Sequence, residues 1–417
     1  MRKMSLRKVI EDAGLGLEAS ADVLGVSVDV FRQWADGQRE IPPIYATVLA
    51  ASLGVKPEAL MGRAAASKGA QRLEPAAIWF KFRGDNFTHT DRESVLAIRR
   101  LGHNANLLEQ ATLGSINKAW DVIYQSAMRT VDLQSSPSEQ GRSAARVFCE
   151  MNQFGHGGNG VGDILRDRLR SIGILLIESP LPHSQVEGCS FYVGESSAQR
   201  PCIFVNTYKT TWFRRNVIIM HELGHSLFDS TSGGQVDTIE SPESASLNKE
   251  NLIEVRADAF ARETLLPQKI LRTILTRHGL RANSLTAEGL AALVADSGVE
   301  KKTIVGVLLE REFIDEALAT HYLALDIAGY LRAISDHALS TKEYIAKIGQ
   351  QSASVWTGKR STAFAKHKLL LPVPFVKAVV EAVKGYSISI SRAADLLMID
   401  EDTFMARFPE LAAGVSE

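Results

Sequence analysis

The stretch VIIMHELGHSLFD (residues 217–229) constrains this chain more than any other. Its two histidines stand four apart, with a glutamate directly after the first. On an α-helix that spacing puts His221 and His225 on one face, so both imidazoles can reach one metal ion. Glu222, the next residue round, can reach a water at that ion without ligating the metal. A metal-assisted hydrolase needs that geometry. Chance alone produces HExxH in roughly one or two chains per hundred of this length, so the surroundings must decide. They favour a helix: VIIM and LFD supply an apolar side, Gly224 leaves space opposite the ligands, and a β-rich run comes just before.

Two histidines leave a catalytic ion short of a ligand. The downstream stretch NLIEVRADAFARETLLP (251–267) holds a third candidate. Glu254 and Asp258 are four apart on a second helix and share a face. Glu254 would complete the ligand set. Asp258 could accept the other ring N–H of a ligating histidine and fix its tautomer. Two histidines and one carboxylate leave a divalent cation net positive, with an open position for water. These ligand types accept Zn²⁺, Mn²⁺ or Fe²⁺. The competing reading is that the two acids merely solvate a helix.

The rest of the 417 residues bounds the setting. A 45% apolar and 23% charged composition is that of an ordinary soluble chain of two to four domains. A net charge of -1 argues against a protein built to coat nucleic acid or an acidic membrane, so any DNA binding has to be local. No apolar run reaches the length of a membrane span. The basic start turns acidic before any apolar core of a signal peptide appears. Cys149, Cys189 and Cys202 lack metal-finger spacing and read as free thiols, which places the chain in the cytoplasm.

Pattern changes divide the chain into four stretches. Residues 1–63 are short helical segments; 64–140 begin with the small, polar AAASKGAQRLEP and continue as helix. A break at SSPSEQGR (135–142) opens the middle region, 141–312, where GILLIES, CSFYVG and RPCIFVNT read as strands of a small sheet. Residues 313–417 are helical again. The expected fold class is α+β, mostly helical: an all-α head, a small-sheet middle and an all-α tail.

Together, CIFVNTYKTTWFRRNVIIMHELGHSLF and EVRADAFARETLLP resemble the ImmA/IrrE-type metallopeptidases, a gluzincin-like group, over roughly residues 141–312. The resemblance implies a zincin-like middle domain in which His221, His225 and Glu254 hold zinc and Glu222 is the general base. That family commonly carries Asn where this chain has Asp258, which moves the chain toward the wider gluzincin pattern. A peptide would then lie antiparallel to RPCIFVNT, taken as an edge strand. The acidic connector 229–251 is a candidate lid or a plain solvated link. His278 and Tyr192 are the candidates for stabilising an oxyanion.

The head segment LEASADVLGVSVDVFRQWADGQREIPPIYATVLAASLGV (17–55) has helix–turn–helix spacing. Gly25 sits at the turn, Ser27 is a good N-cap, and Val23, Leu24, Val26, Phe31 and Trp34 are spaced for a core. It looks like the XRE/Cro-type helix-turn-helix. In such a fold the recognition helix runs from about Val28 to Ala35. Ser27, Val28, Arg32, Gln33, Gln38 and Arg39 are the candidate DNA contacts. Yet residues 1–63 hold eight basic and eight acidic side chains, so a single head should bind DNA weakly. A head kept for protein contacts or dimerisation is the other reading.

The tail repeats the head's pattern, since ADVLGVSVDVF (21–31) aligns without gaps onto ADLLMIDEDTF (394–404). Met398 replaces the turn glycine, and Asp400, Glu401 and Asp402 begin the second helix, where they would repel phosphate. A helix-turn-helix-like unit near 390–408 that packs or docks, without reading DNA, is expected. GHGGNG (155–160) formally matches a dinucleotide loop but follows a helical run, so a plain loop is expected.

These readings combine into a zinc metallopeptidase coupled to transcriptional regulation. By resemblance its protein substrate would be a repressor or an antitoxin-like partner. DNA through the head and a second copy of the chain are the other candidate partners, and no membrane is involved. The rival is a DNA-binding regulator whose metal domain is a sensor or scaffold, and a third reading makes the zinc purely structural.

Overall fold

A computed structural model describes residues 6–12, 16–24, 26–39, 41, 45–46, 49, 60, 79–82, 89–113, 119–132, 134–154, 160–182, 184–194, 199–208, 210–229, 247–338 and 371–411. They are mostly helical around one small sheet, an α+β arrangement. No helix among them is long and apolar enough to cross a membrane.

The sheet has four strands, β1 (Trp79–Phe82), β2 (Leu175–Ser179), β3 (Val186–Val193) and β4 (Arg200–Asn206), in the order β1-β3-β4-β2. β4 runs parallel to β2 and antiparallel to β3, and β1 is antiparallel to β3. Two expectations change here. RPCIFVNT is β4, an interior strand paired on both sides, so no peptide can add to its edge. And the stretch read as linker and helix, 64–140, contributes a strand of its own: β1 covers the outer edge of β3, with Trp79 opposite Ser190 and Lys81 opposite Gly188. Four residues among low-complexity neighbours carry too little periodicity to be read as a strand.

Both faces of the sheet are covered, and side chains alternate between them. On one face Leu176, Ile203 and Val205 share a core with Ile218, Ile219 and Leu223 of the long helix that carries HELGH. On the other, Ile177, Cys189, Phe191, Cys202 and Phe204 meet Ile98, Leu101 and Ala105 of a helix spanning His89–Leu113. Coverage of both faces explains why β4 reads as a near-continuous apolar run through Cys202–Val205. The helix beginning at Pro137 takes in most of SSPSEQGR: Ser136 caps it and Pro137 occupies its first turn, so the break is short.

In the head, α1 (Leu6–Asp12), α2 (Leu17–Leu24) and α3 (Val28–Ala35) enclose Leu24, Phe31 and Trp34, and Leu96 joins the same core. The Ser27 hydroxyl caps α3 by accepting from the Val30 amide at 3.4 Å. Gly25 and the side chain of Val23 lie outside the described residues, as do the linker 64–75, residues 155–159 of GHGGNG and the connector 230–246.

The tail forms helices Val373–Lys384, Ile390–Leu397 and Glu401–Arg407. Met398 joins the last two in a left-handed conformation, φ 58°, where the head's sequence has glycine. Asp400 caps the last helix by accepting from the Thr403 amide at 2.7 Å, as Ser27 does in the head. Leu396, Leu397, Met398 and Phe404 are buried in the core shared with the helix His89–Leu113 and the sheet. Its acidic start stays outside, with Glu401 and Asp402 exposed.

Candidate metal centre

The HELGH helix, α4 (Trp212–Phe228), begins at Thr211, whose hydroxyl accepts from the Arg214 amide. It contains no proline, and every residue from Arg215 to Phe228 is buried. Beside it runs α5 (Leu247–Leu265), carrying Glu254 and Asp258. The space at Gly224 admits this helix: a Cβ there would stand 3.1 Å from the Ala257 Cα.

Across this contact His221, His225 and Glu254 converge. Their Nε2 atoms are 3.0 Å apart, and each lies 3.2 Å from one oxygen of Glu254. Both histidines are buried, while the Glu254 side chain is 46% exposed, so the cluster opens outward on that side. Asp258 Oδ1 lies 2.7 Å from His221 Nδ1. Asp229, the residue that caps α4, lies likewise against His225 Nδ1 at 2.9 Å. Asp229 is in turn gripped by the Arg256 guanidinium from α5, which also lies 4.7 Å from the centre of the Phe228 ring.

The arrangement fits a cation. With both Nδ1 atoms held by carboxylates, the Nδ1–H tautomers turn two Nε2 lone pairs and one carboxylate onto a single point. Lone pairs crowded this way repel unless a positive charge sits among them. The electrostatics agree. Burial disfavours a charged His225, but Asp229 and Glu254 outweigh it and raise the imidazole to about 10. In the metal-free state burial would likewise raise Glu254, but its close contacts with His221 and His225 hold it well below the ordinary carboxylate range. These three residues form a possible divalent metal site among the described residues.

Glu222, next to His221 on α4, is fully buried against β3. Ser190 Oγ donates to its Oε2 at 3.1 Å. Sequence reasoning missed Ser190, because nothing local marks a strand residue as the neighbour of a helix residue 32 positions on. Asp229 could have been found, since it stands four residues past His225 as His225 stands past His221.

The two oxyanion candidates are committed elsewhere. The Tyr192 hydroxyl donates to the Ser226 carbonyl and accepts from Trp120 Nε1, both at 3.1 Å. His278 Nε2 pairs with Asp296 at 2.9 Å. In the head, Arg32, Gln33, Gln38 and Arg39 are exposed, with Arg32 bound to Asp29 at 2.7 Å. Val28 is half-buried against the head core, so its side chain supports the helix more than it faces outward.

No curated protein and no solved structure matches the chain. A family model does match, over residues 169–293: that of the M78 peptidases, described as the IrrE N-terminal-like domain. The match takes in β2, β3, β4, α4 and α5, and with them every residue of the cluster. It covers less than a third of the chain, and this segment's likeness to M78 peptidases supports a metallopeptidase-type function.

Proposed function

We propose that the chain is a zinc-dependent endopeptidase that hydrolyses a regulatory protein, a repressor or an antitoxin-like partner, and so acts on transcription. The observation that carries this reading is the convergence of His221, His225 and Glu254, with a buried Glu222 next to His221 on the same helix. His221, His225 and Glu254 would hold the ion. When bound, a divalent cation supplies Lewis acidity, lowering the pKa of water and polarising a scissile carbonyl. Glu222 takes the proton of the attacking water as its oxygen bonds to the carbonyl carbon. Glu222 then delivers that proton to the amine nitrogen as the C–N bond breaks. Asp258 and Asp229 keep both imidazoles oriented through the cycle.

The head gives the activity its setting. Helices α2 and α3, with Ser27 as cap, support a helix-turn-helix reading, and exposed Arg32, Gln33, Gln38 and Arg39 are its DNA-facing candidates. The Arg32–Asp29 and Arg7–Asp36 pairs neutralise much of its positive charge, which favours weak binding by one copy and suits a homodimer. A cytoplasmic location follows from this reading. The decisive experiment is capture of cellular protein by the zinc-loaded Glu222→Gln chain. A bound protein that the wild type cuts and the variant leaves intact supports the proposal. Cleavage at the same rate by both would sink it.

A further inference from the structure

Beneath α4, the face of β3 presents two residues to Glu222, and each is unusual for its place. Gly188 and Ser190 are two apart on the strand and so point to the same side. At Gly188 a Cβ would stand 2.4 Å from Ile218 Cγ2 and 3.2 Å from both Cγ and Oε1 of Glu222. Only a residue without a side chain leaves the glutamate its present position. At Ser190 the fully buried hydroxyl donates to Glu222 Oε2 at 3.1 Å. Its neighbours Cys189 and Phe191 are apolar and face the opposite side of the sheet. A fully buried hydroxyl is costly unless it has a partner. Here the partner is the proposed general base.

We propose that Ser190 is the positioning residue of Glu222: by holding Oε2 while Oε1 rests over Gly188, it fixes the rotation of the carboxylate beside the metal ligands. The inference rests on the metallopeptidase reading above and deepens it. A carboxylate free to turn about its three side-chain bonds would spend most of its time out of line with the attacking water. Alignment of that kind is worth large factors in rate. Ser190 touches neither the metal ligands nor, on this proposal, the substrate. Its effect passes through Glu222 alone.

The test compares Ser190→Ala, Ser190→Thr and Glu222→Gln in the full-length, zinc-loaded chain, with metal content and melting temperature measured for each. A mixture of quenched-fluorescent peptides reads turnover. Acetohydroxamate, titrated into the Co²⁺-loaded proteins and followed by visible absorption, reads the placement of Glu222 beside the metal without turnover. Ser190→Ala should lower kcat about tenfold or more with KM within about twofold and metal content unchanged. It should also weaken acetohydroxamate in the same direction as Glu222→Gln. Ser190→Thr, which keeps the hydroxyl, should restore both. Wild-type kcat and hydroxamate affinity in Ser190→Ala would overturn the proposal, as would equal losses in the alanine and threonine variants. If the wild type cleaves neither the peptides nor any protein captured by Glu222→Gln, the peptidase reading falls, and the hydroxamate series alone decides the role of Ser190.

Discussion

Asp229 accepts the Nδ1–H of His225 at 2.9 Å from one turn further along the same helix. The residue that ends α4 thereby also orients one of the proposed ligands, and Arg256 ties it to the helix that brings the third. Partners of this kind typically contribute 10–100-fold in metal affinity. Asp229→Asn should therefore weaken zinc binding by about that factor, as should Asp258→Asn at His221. Competition against a chelator of known affinity measures both. Unchanged affinity in either variant would show that its imidazole is held by packing alone.

Metal uptake should depend on pH. With its pKa raised to about 10, His225 carries a proton throughout the neutral range when no ion is bound. Coordination through Nε2 must expel that proton. Affinity should then rise about tenfold per pH unit from neutrality until the proton is gone near pH 10. The same proton stabilises the metal-free fold, fully so below pH 6.5, and that contribution is lost as pH rises through about 10. Calorimetry in buffers of different ionisation enthalpy would count the protons released; none released at pH 7.5 refutes the assignment.

Gly141, in the helix Pro137–Met151, admits α5 at close range. A Cβ there would lie 2.3 Å from the Arg256 carbonyl oxygen and 2.9 Å from the Phe260 amide nitrogen. Both are backbone atoms, so the helices themselves would have to part. Gly141→Ala should cost about 1–3 kcal/mol of stability, as overpacking does. It should also weaken metal binding, because α5 carries Glu254 and Asp258. Denaturant melts and zinc titration check the two effects together.

Asn104 donates to the carbonyls of Leu396 and Asp395, at 2.9 and 3.4 Å, and so holds the last turn of the tail's second helix. Asn104→Ala should cost about 1–2 kcal/mol and loosen that unit first. Hydrogen exchange should rise across Ile390–Arg407 before it rises in the sheet. Uniform acceleration across both would mean that tail and sheet unfold as one.

The register of β1 on β3 places Phe80 opposite Cys189. Directly opposed strand residues are within reach of a disulfide. Phe80→Cys should therefore form a bond to Cys189 under mild oxidation, detected by mass spectrometry after digestion. Failure of that bond to form would show a shifted register of β1 on β3.

The two helices of the cluster were legible in the linear chain because the relevant geometry is local. Residues four apart share a helical face whatever surrounds them, so His221 with His225 and Glu254 with Asp258 could be paired by counting. The strands of the middle region were legible from their β-rich runs, but their order was not. Nothing in RPCIFVNT distinguishes an interior strand from an edge, since both of its neighbours are set by long-range pairing. β1 was invisible for the same reason: four residues have no pattern until β3 supplies one. The tail repeat was readable residue by residue, but its burial against the helix His89–Leu113 was not.

By itself, then, the sequence determined which side chains could meet a metal and which helices would carry them. Helical periodicity and a two-motif spacing suffice for that. Only the tertiary structure decided that α5 crosses α4 at Gly224, that Arg256 braces Asp229, and that Ser190 lies under Glu222. Those contacts depend on how closely two backbones approach and on strand register. Both are settled by packing between residues far apart in the chain.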